Sequence, residues 1–365
     1  MSRKPPDFAI LFTVLLLICF GMIMVFSSSS VRAYYYYTDS FYFIKRQLIW
    51  SILGFFSMIF FMNYDYWKIK RHEKLIVFVM FLLLVLVLIP GIGKEVNEAR
   101  RWIGVGALTL QPSEIAKLGM IVYLSCGLER KGNKVRSFFM GILPFLMVMG
   151  VICGLILREP HLSASVLIGM TTLIMLFVGG ANMIHMIGMG TAGFALALMF
   201  TINKPYRLKR LLSFLDPWKN PSEEGYHIIQ SLYALGSGGL IGVGLGQSRQ
   251  KFFYLPEPQT DFIFSVIGEE LGFLGAAFVI LVFMFFIWRG YRTAMAAPDI
   301  FGKLMATGIT TLIALQFLIN VAVVTASVPV TGMPLPFISY GGSSLTITMS
   351  QIGILLNISR YTEVK

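Results

Sequence analysis

Ten apolar stretches, most of them close to the roughly 20 residues a helix needs to cross the hydrocarbon core of a bilayer, dominate this sequence. They fall at about 8–29, 46–63, 75–92, 111–128, 138–157, 162–180, 182–202, 262–288, 304–327 and 338–358. Inside a bilayer every backbone N–H and C=O must find its partner within the protein, so such runs become helices. The sequence therefore predicts an all-α integral membrane protein of about ten transmembrane helices, with one long extracytoplasmic loop, about 203–261, between the seventh and eighth. Charged residues make up only 13% of the chain, against about 25% in a soluble domain, and no remaining stretch is long enough to build one. Residues 1–365 are thus expected to form a single polytopic membrane domain. The first run follows Arg3 and Lys4 but ends in Ser27 to Ser30 without a small-residue cleavage site, so it reads as a retained helix.

The net charge of +12 would suggest nucleic acid in a soluble protein, but in a membrane protein it reflects cytoplasmic loops and anionic lipid; no nucleic-acid partner is expected. With a cytoplasmic N-terminus, the inside segments hold 15 Lys and Arg and the short outside loops 7, and ten spans bring both termini to the cytoplasm. Cys19, Cys126 and Cys153 sit in apolar runs without CxxC spacing, and His72, His161, His185 and His227 are scattered, so neither a disulfide framework nor a metal site is indicated. No inverted repeat is visible, which counts against a transporter. Tyr34 to Tyr37 with Phe41, Tyr42 and Phe43 read as an interfacial aromatic belt.

Polar residues near membrane depth are costly and mark function or mutual neutralisation. Four places stand out. In Gln111 to Lys117, Pro112 and Ser113 suit a helix start, and Glu114 and Lys117 share a helix face as a structural ion pair or as reacting groups; Arg100 and Arg101 just upstream can bind phosphate or sit among headgroups. The long loop opens with Arg207, Lys209 and Arg210, a basic cluster that suits an anionic lipid or a pyrophosphate, and continues through Gly236 to Gly246, whose six glycines match no nucleotide-binding pattern and point to close backbone approach. Tyr254 to Gly272 contains Glu257 and Asp261, the latter either a helix cap or a base, and Glu269 and Glu270 about two turns deeper, facing a polar cavity. Pro329 to Ser344, which includes Ser343, is too rich in Pro and Gly to be helical and suits the lining of a cavity.

At these four places the chain resembles the SEDS family (shape, elongation, division and sporulation), closest to its FtsW and SpoVE branch. The matching stretches are Ala99 to Ile103, Gln111 to Lys117, Leu215 to Trp218, Gln230 to Gln250, Tyr254 to Gly272 and Pro329 to Ser344. The resemblance implies a bacterial cytoplasmic-membrane glycosyltransferase that polymerises lipid II into glycan strands and works with a class B penicillin-binding protein, among other division or sporulation wall-synthesis proteins. It also implies that the catalytic acid lies on the Thr260-Asp261-Phe262 step. Where the family usually reads Gln-Pro-Asp-Leu-Gly, this chain has Glu159-Pro160-His161-Leu162-Ser163, so the family's loop acid has no counterpart at His161.

The chemistry suits these residue types. A lipid pyrophosphate leaves readily once its charge is met, which calls for cations, and a sugar hydroxyl needs a carboxylate base. Asp261 is the expected base; Arg101, Lys117, Arg207, Lys209, Arg210, Glu257 and Ser343 are expected at the substrate, and Glu114 with Lys117 as a supporting pair. No protein-bound metal is expected, and a divalent cation at the substrate pyrophosphate is the one cofactor the chemistry admits. Two rivals stand beside this reading: a flippase gated by Glu114, Lys117, Glu269 and Glu270, and a non-catalytic scaffold for a synthase partner.

Overall fold

Asp7 starts the first helix by accepting from the amides of Ala9 and Ile10 at 2.9 and 3.3 Å, satisfying two of the donors that a helix start leaves open. A computed structural model describes residues 4–96, 99–105, 108–203, 205–219, 221 and 225–362; the side chains of 96, 99, 105, 108, 205–207 and 210 lie outside that description. From this cap α1 runs Phe8–Tyr37, followed by α2 Tyr42–Asn63, the short α3 Tyr66–Arg71 and α4 Glu73–Leu86. After strands β1 Gly93–Val96, β2 Ala99–Val105 and β3 Leu108–Leu110 come α5 Pro112–Lys131, α6 Leu143–Arg158, α7 Leu162–Val178 and α8 Met183–Ile202. The long connection folds as α9 Pro205–Leu215 and α10 Tyr226–Gly238, and the chain closes with α11 Ile263–Met295, α12 Ile300–Val324 and α13 Gly342–Ser359; α11 breaks at Gly272 (φ +67°, ψ −165°) into two helical segments.

Each of the ten apolar runs coincides with a helix. Among the described residues six helices are long and apolar enough to cross a membrane by length and composition, and the outward faces of α1, α2, α8 and α11 are studded with exposed Phe, Leu, Ile and Met, as in a multi-pass membrane protein. The expected all-helical architecture acquires one addition: β1, β2 and β3 form an antiparallel sheet in that order, with Lys94 opposite Trp102 and Gly104 opposite Thr109. The apolar run expected to reach residue 92 ends as helix at Leu86, and the chain then turns through Pro90 and Gly91 into β1.

The core gathers around α12 and α13, whose residues are largely buried. α13 lies along α2 at very close range: a Cβ on Gly353 would stand 2.4 Å from Met58 O, and Ser57 and Ser350 share a hydroxyl hydrogen bond of 2.6 Å. Small residues let helix backbones approach where lipid offers no hydrophobic drive to association. Asn357 donates to Met62 O at 2.7 Å and accepts from Tyr66 N at 3.0 Å, which ties the short α3 to the same pair. Lys4 N donates to Arg360 O at 3.0 Å, so the two ends of the described chain meet at one end of the bundle.

Candidate active site

Asp299, at the start of α12, accepts from Tyr66 beside Asn357, so the end of α12 that carries Asn320 belongs to the end of the bundle remote from the termini. Asp261 lies there, in the turn that leads into α11. The N-cap position of that helix is Phe262, so Asp261 does not occupy the cap that its sequence context allowed. The turn is held through its backbone instead. Asn320 Nδ2 donates to Asp261 O at 2.9 Å and to Met333 O at 2.7 Å, Ser339 Oγ donates to Thr260 O at 2.5 Å, and Tyr340 N donates to Gln259 O at 2.8 Å. These bonds join the Asp261 turn to the Pro- and Gly-rich connection 329–341 and leave the carboxylate half-buried. Gly332, at φ +66°, faces it: a Cβ there would stand 3.4 Å from Oδ2. Glu257 is exposed and accepts from Thr260 Oγ1 and Gln259 Nε2, both at 3.3 Å, so it shapes the same turn from outside.

Glu114 and Lys117 meet at 2.7 Å with both side chains buried. Lys117 also donates to Gln316 Oε1 at 3.4 Å, and Gln316 Nε2 donates to Pro334 O at 3.0 Å, so the pair braces the connection that faces Asp261. Gln316 and Asn320, one turn apart on α12, are the residues that sequence reasoning missed; two amides in an otherwise apolar run were the available signal. Ser343, expected at the substrate, is instead 1% exposed and accepts from Gln111 N at 3.2 Å, which fastens α13 to the start of α5.

Arg101, on β2, donates to the carbonyls of Glu159 at 3.0 Å and Pro160 at 2.5 Å. It thereby fixes the α6–α7 connection, which Ser163 Oγ ties to Thr331 O next to Gly332. His161 Nδ1 lies 3.3 Å from Gln111 Nε2 and 3.4 Å from Ser113 Oγ. Burial, with Arg101 and Lys117 adding to it, pushes the imidazole down to about 3, so His161 is neutral where the family usually carries an acid. Glu159 is fully buried, and among the described residues neither carboxyl oxygen has a hydrogen-bond partner. Burial pushes it up from 4.5 to about 8, against the opposing pull of Arg101. The folded state then binds more protons than the unfolded one between those values, so stability falls as pH rises through that window. The thermal midpoint of the purified protein should drop between about pH 5 and pH 8, and Glu159→Gln should flatten that drop. An equal slope in the variant would assign the titration to another group.

The glycine-rich segment does approach backbone closely, but the backbone is that of α11. A Cβ on Gly238 would stand 1.9 Å from Gly268 O, and one on Gly242 2.2 Å from Glu270 O. Val243 N and Gly244 N donate to the carbonyls of Glu269 and Glu270, both at 3.0 Å. Both carboxylates, expected to face a cavity, are buried and hold the following loop: Glu269 accepts from Ser248 Oγ and from Arg249 N at 2.9 Å, and Glu270 from Ser27 Oγ at 2.6 Å and Lys251 Nζ at 3.2 Å. Of the basic cluster, Lys209 is exposed on α9, which packs chiefly on α8 and on the turn Pro217–Lys219; the side chains of Arg207 and Arg210 lie outside the described residues. The structure thus joins Asp261, Glu257, Lys117 and Arg101 through shared loops, and sets the α9 cluster on a separate element.

A family profile described as Cell cycle protein, covering FtsW, RodA and SpoVE, matches residues 8–364. The chain belongs to this family. It is 48% identical to Stage V sporulation protein E of Bacillus subtilis (strain 168), with 99% of each chain covered. It is 44% identical to the "Probable peptidoglycan glycosyltransferase FtsW" of Trichlorobacter lovleyi, over 97% of this chain and 93% of that one. A chain from a solved peptidoglycan synthase complex, described as coordinating polymerization and crosslinking, superposes with a TM-score of 0.80 at 28% identity, covering 97% of this chain and 98% of that one.

Proposed function

We infer that this chain is a peptidoglycan glycosyltransferase, and that it polymerises lipid II at the outer face of the bacterial plasma membrane. The observation that carries the reading is Asp261: a half-buried carboxylate in a turn fastened by Asn320, Ser339 and Tyr340 and not used as a helix cap. Asp261 accepts the proton of the acceptor sugar hydroxyl as that oxygen bonds to the anomeric carbon of the donor. The anomeric carbon–oxygen bond breaks, and its electron pair leaves on undecaprenyl pyrophosphate. Arg101 and the α9 cluster meet the departing charge, with Lys117 behind them. A divalent cation belongs in this scheme to the substrate pyrophosphate, whose oxygens are the hard ligands such an ion takes.

Ten spans with both termini cytoplasmic follow from the basic residues of the short loops, and this orientation turns the Asp261 end outward. A class B penicillin-binding protein is the proposed crosslinking partner, in division, elongation or sporulation. The flippase reading loses support, since Glu269 and Glu270 are occupied in holding the loop after the glycine-rich segment. The purified chain in detergent, where there is no second leaflet to flip into, is expected to convert lipid II into a ladder of glycan strands on a gel. No ladder with or without the penicillin-binding partner would overturn the assignment. Arg101→Ala should slow the ladder while leaving folded protein in solution; an unchanged rate and unchanged substrate binding would reduce Arg101 to a loop clamp.

A further inference from the structure

Helix α1 is longer than a membrane requires. Its 30 residues span about 45 Å, against a hydrocarbon core of about 30 Å. Counting about 20 residues from the Asp7 cap brings the edge of the core to Ser27–Ser30, where Ser27 already bonds the buried Glu270. Tyr35 and Tyr36 stand roughly 10 Å farther along the axis, past a headgroup layer about 5–7 Å thick, and so beyond a belt at the interface. They are 70% and 64% exposed. Both pack edge-on against Phe253, with ring centroids 5.2 and 6.2 Å apart, which holds the rings upright. Arg32 lies 5.7 Å from the Phe253 centroid. A second aromatic run begins at the residue after Tyr36, where Tyr37 stacks on Tyr42 at 3.6 Å. It leads through Phe43 to Tyr340, each of these last two 5.1–5.3 Å from the ring before it; the two runs, neighbours in the chain, make up one ridge. Tyr340 is the residue whose amide bonds Gln259, two positions from Asp261.

We propose that this ridge is a product-strand site that carries the growing glycan away from Asp261, the occupant being a β-linked N-acetylhexosamine polymer with acidic substituents. The proposal rests on the glycosyltransferase reading above. Equatorially linked pyranoses expose flat C–H faces that suit aromatic rings, the tyrosine hydroxyls offer hydrogen bonds to sugar hydroxyls, and Arg32 and Arg46 supply cations for carboxylates. Arg46 lies 4.2 Å from the Tyr42 centroid, on the same path. A lipid occupant would require the rings at headgroup depth, and continuity with the Asp261 turn favours the polymer.

The test uses the full chain in lipid nanodiscs. Tyr35→Ser with Phe253→Ser should shorten the strands made from lipid II several-fold, more than it slows lipid II consumption, and should weaken binding of a β-1,4-linked N-acetylglucosamine hexamer roughly tenfold, read by saturation-transfer NMR. Tyr35→Phe keeps the ring and loses only one hydroxyl, so it should retain most of both properties; since Tyr35 is an exposed residue, this variant and Tyr35→Ser alone serve if the double variant does not fold. Unchanged strand length and hexamer binding would overturn the proposal, and a change confined to thermal stability in nanodiscs of different headgroup composition would assign the ridge to the membrane. If the wild type makes no polymer, the glycosyltransferase reading fails, while hexamer binding still decides the ridge.

Discussion

Asp261→Asn protein, purified and monodisperse, is expected to polymerise lipid II about 10²–10⁴-fold more slowly than wild type, the usual cost of losing a general base. Asparagine has nearly the same size as aspartate and keeps a side-chain acceptor, so packing against Gly332 and the backbone bond from Asn320 to residue 261 survive the change. What disappears is basicity. Thermal stability should accordingly move little while the rate collapses, a split that a merely structural carboxylate would not produce. Near wild-type polymerisation by the variant would sink the assignment and turn attention to Glu257, the exposed acid four residues upstream.

Breaking the Glu114–Lys117 pair should have the second-largest effect, on stability first. Lys117→Ala leaves the Glu114 carboxylate 5% exposed without its cation, and removing one partner of a buried pair costs about 3–5 kcal/mol. It also removes the donor to Gln316 Oε1, and through Gln316 the brace on Pro334 that faces the Asp261 turn, so activity should fall as well. Exchanging the two charges should recover part of what either single reversal loses. Recovery stays partial, because Glu114 in the first turn of α5 faces the positive end of the helix dipole and a lysine there would not. Thermal unfolding of the four proteins in nanodiscs measures the coupling, and strict additivity of the two single losses would count against a direct pair.

The ten apolar helices and the four polar clusters were legible in the amino-acid order, whereas the short α3 and the helices α9 and α10 inside the expected loop were not. Transfer of a residue from water to hydrocarbon is a property of that residue and its immediate run, so 20 apolar residues announce a span without reference to anything else. The Glu114–Lys117 pair was legible for the same reason, being three residues apart on one helix. The sheet of residues 93–110 was not, since its strands are short and carry Arg, Lys and Gly between two strongly apolar runs. Only the tertiary structure decided what the polar groups do. Glu270 meets Ser27 across 243 residues of sequence, Asn320 reaches Asp261 across 59, and Ser343 is drawn to Gln111 rather than to a cavity. Each of these is a contact between two segments, and hydrogen bonds depend on distance and direction between the partners, which no single run of residues encodes.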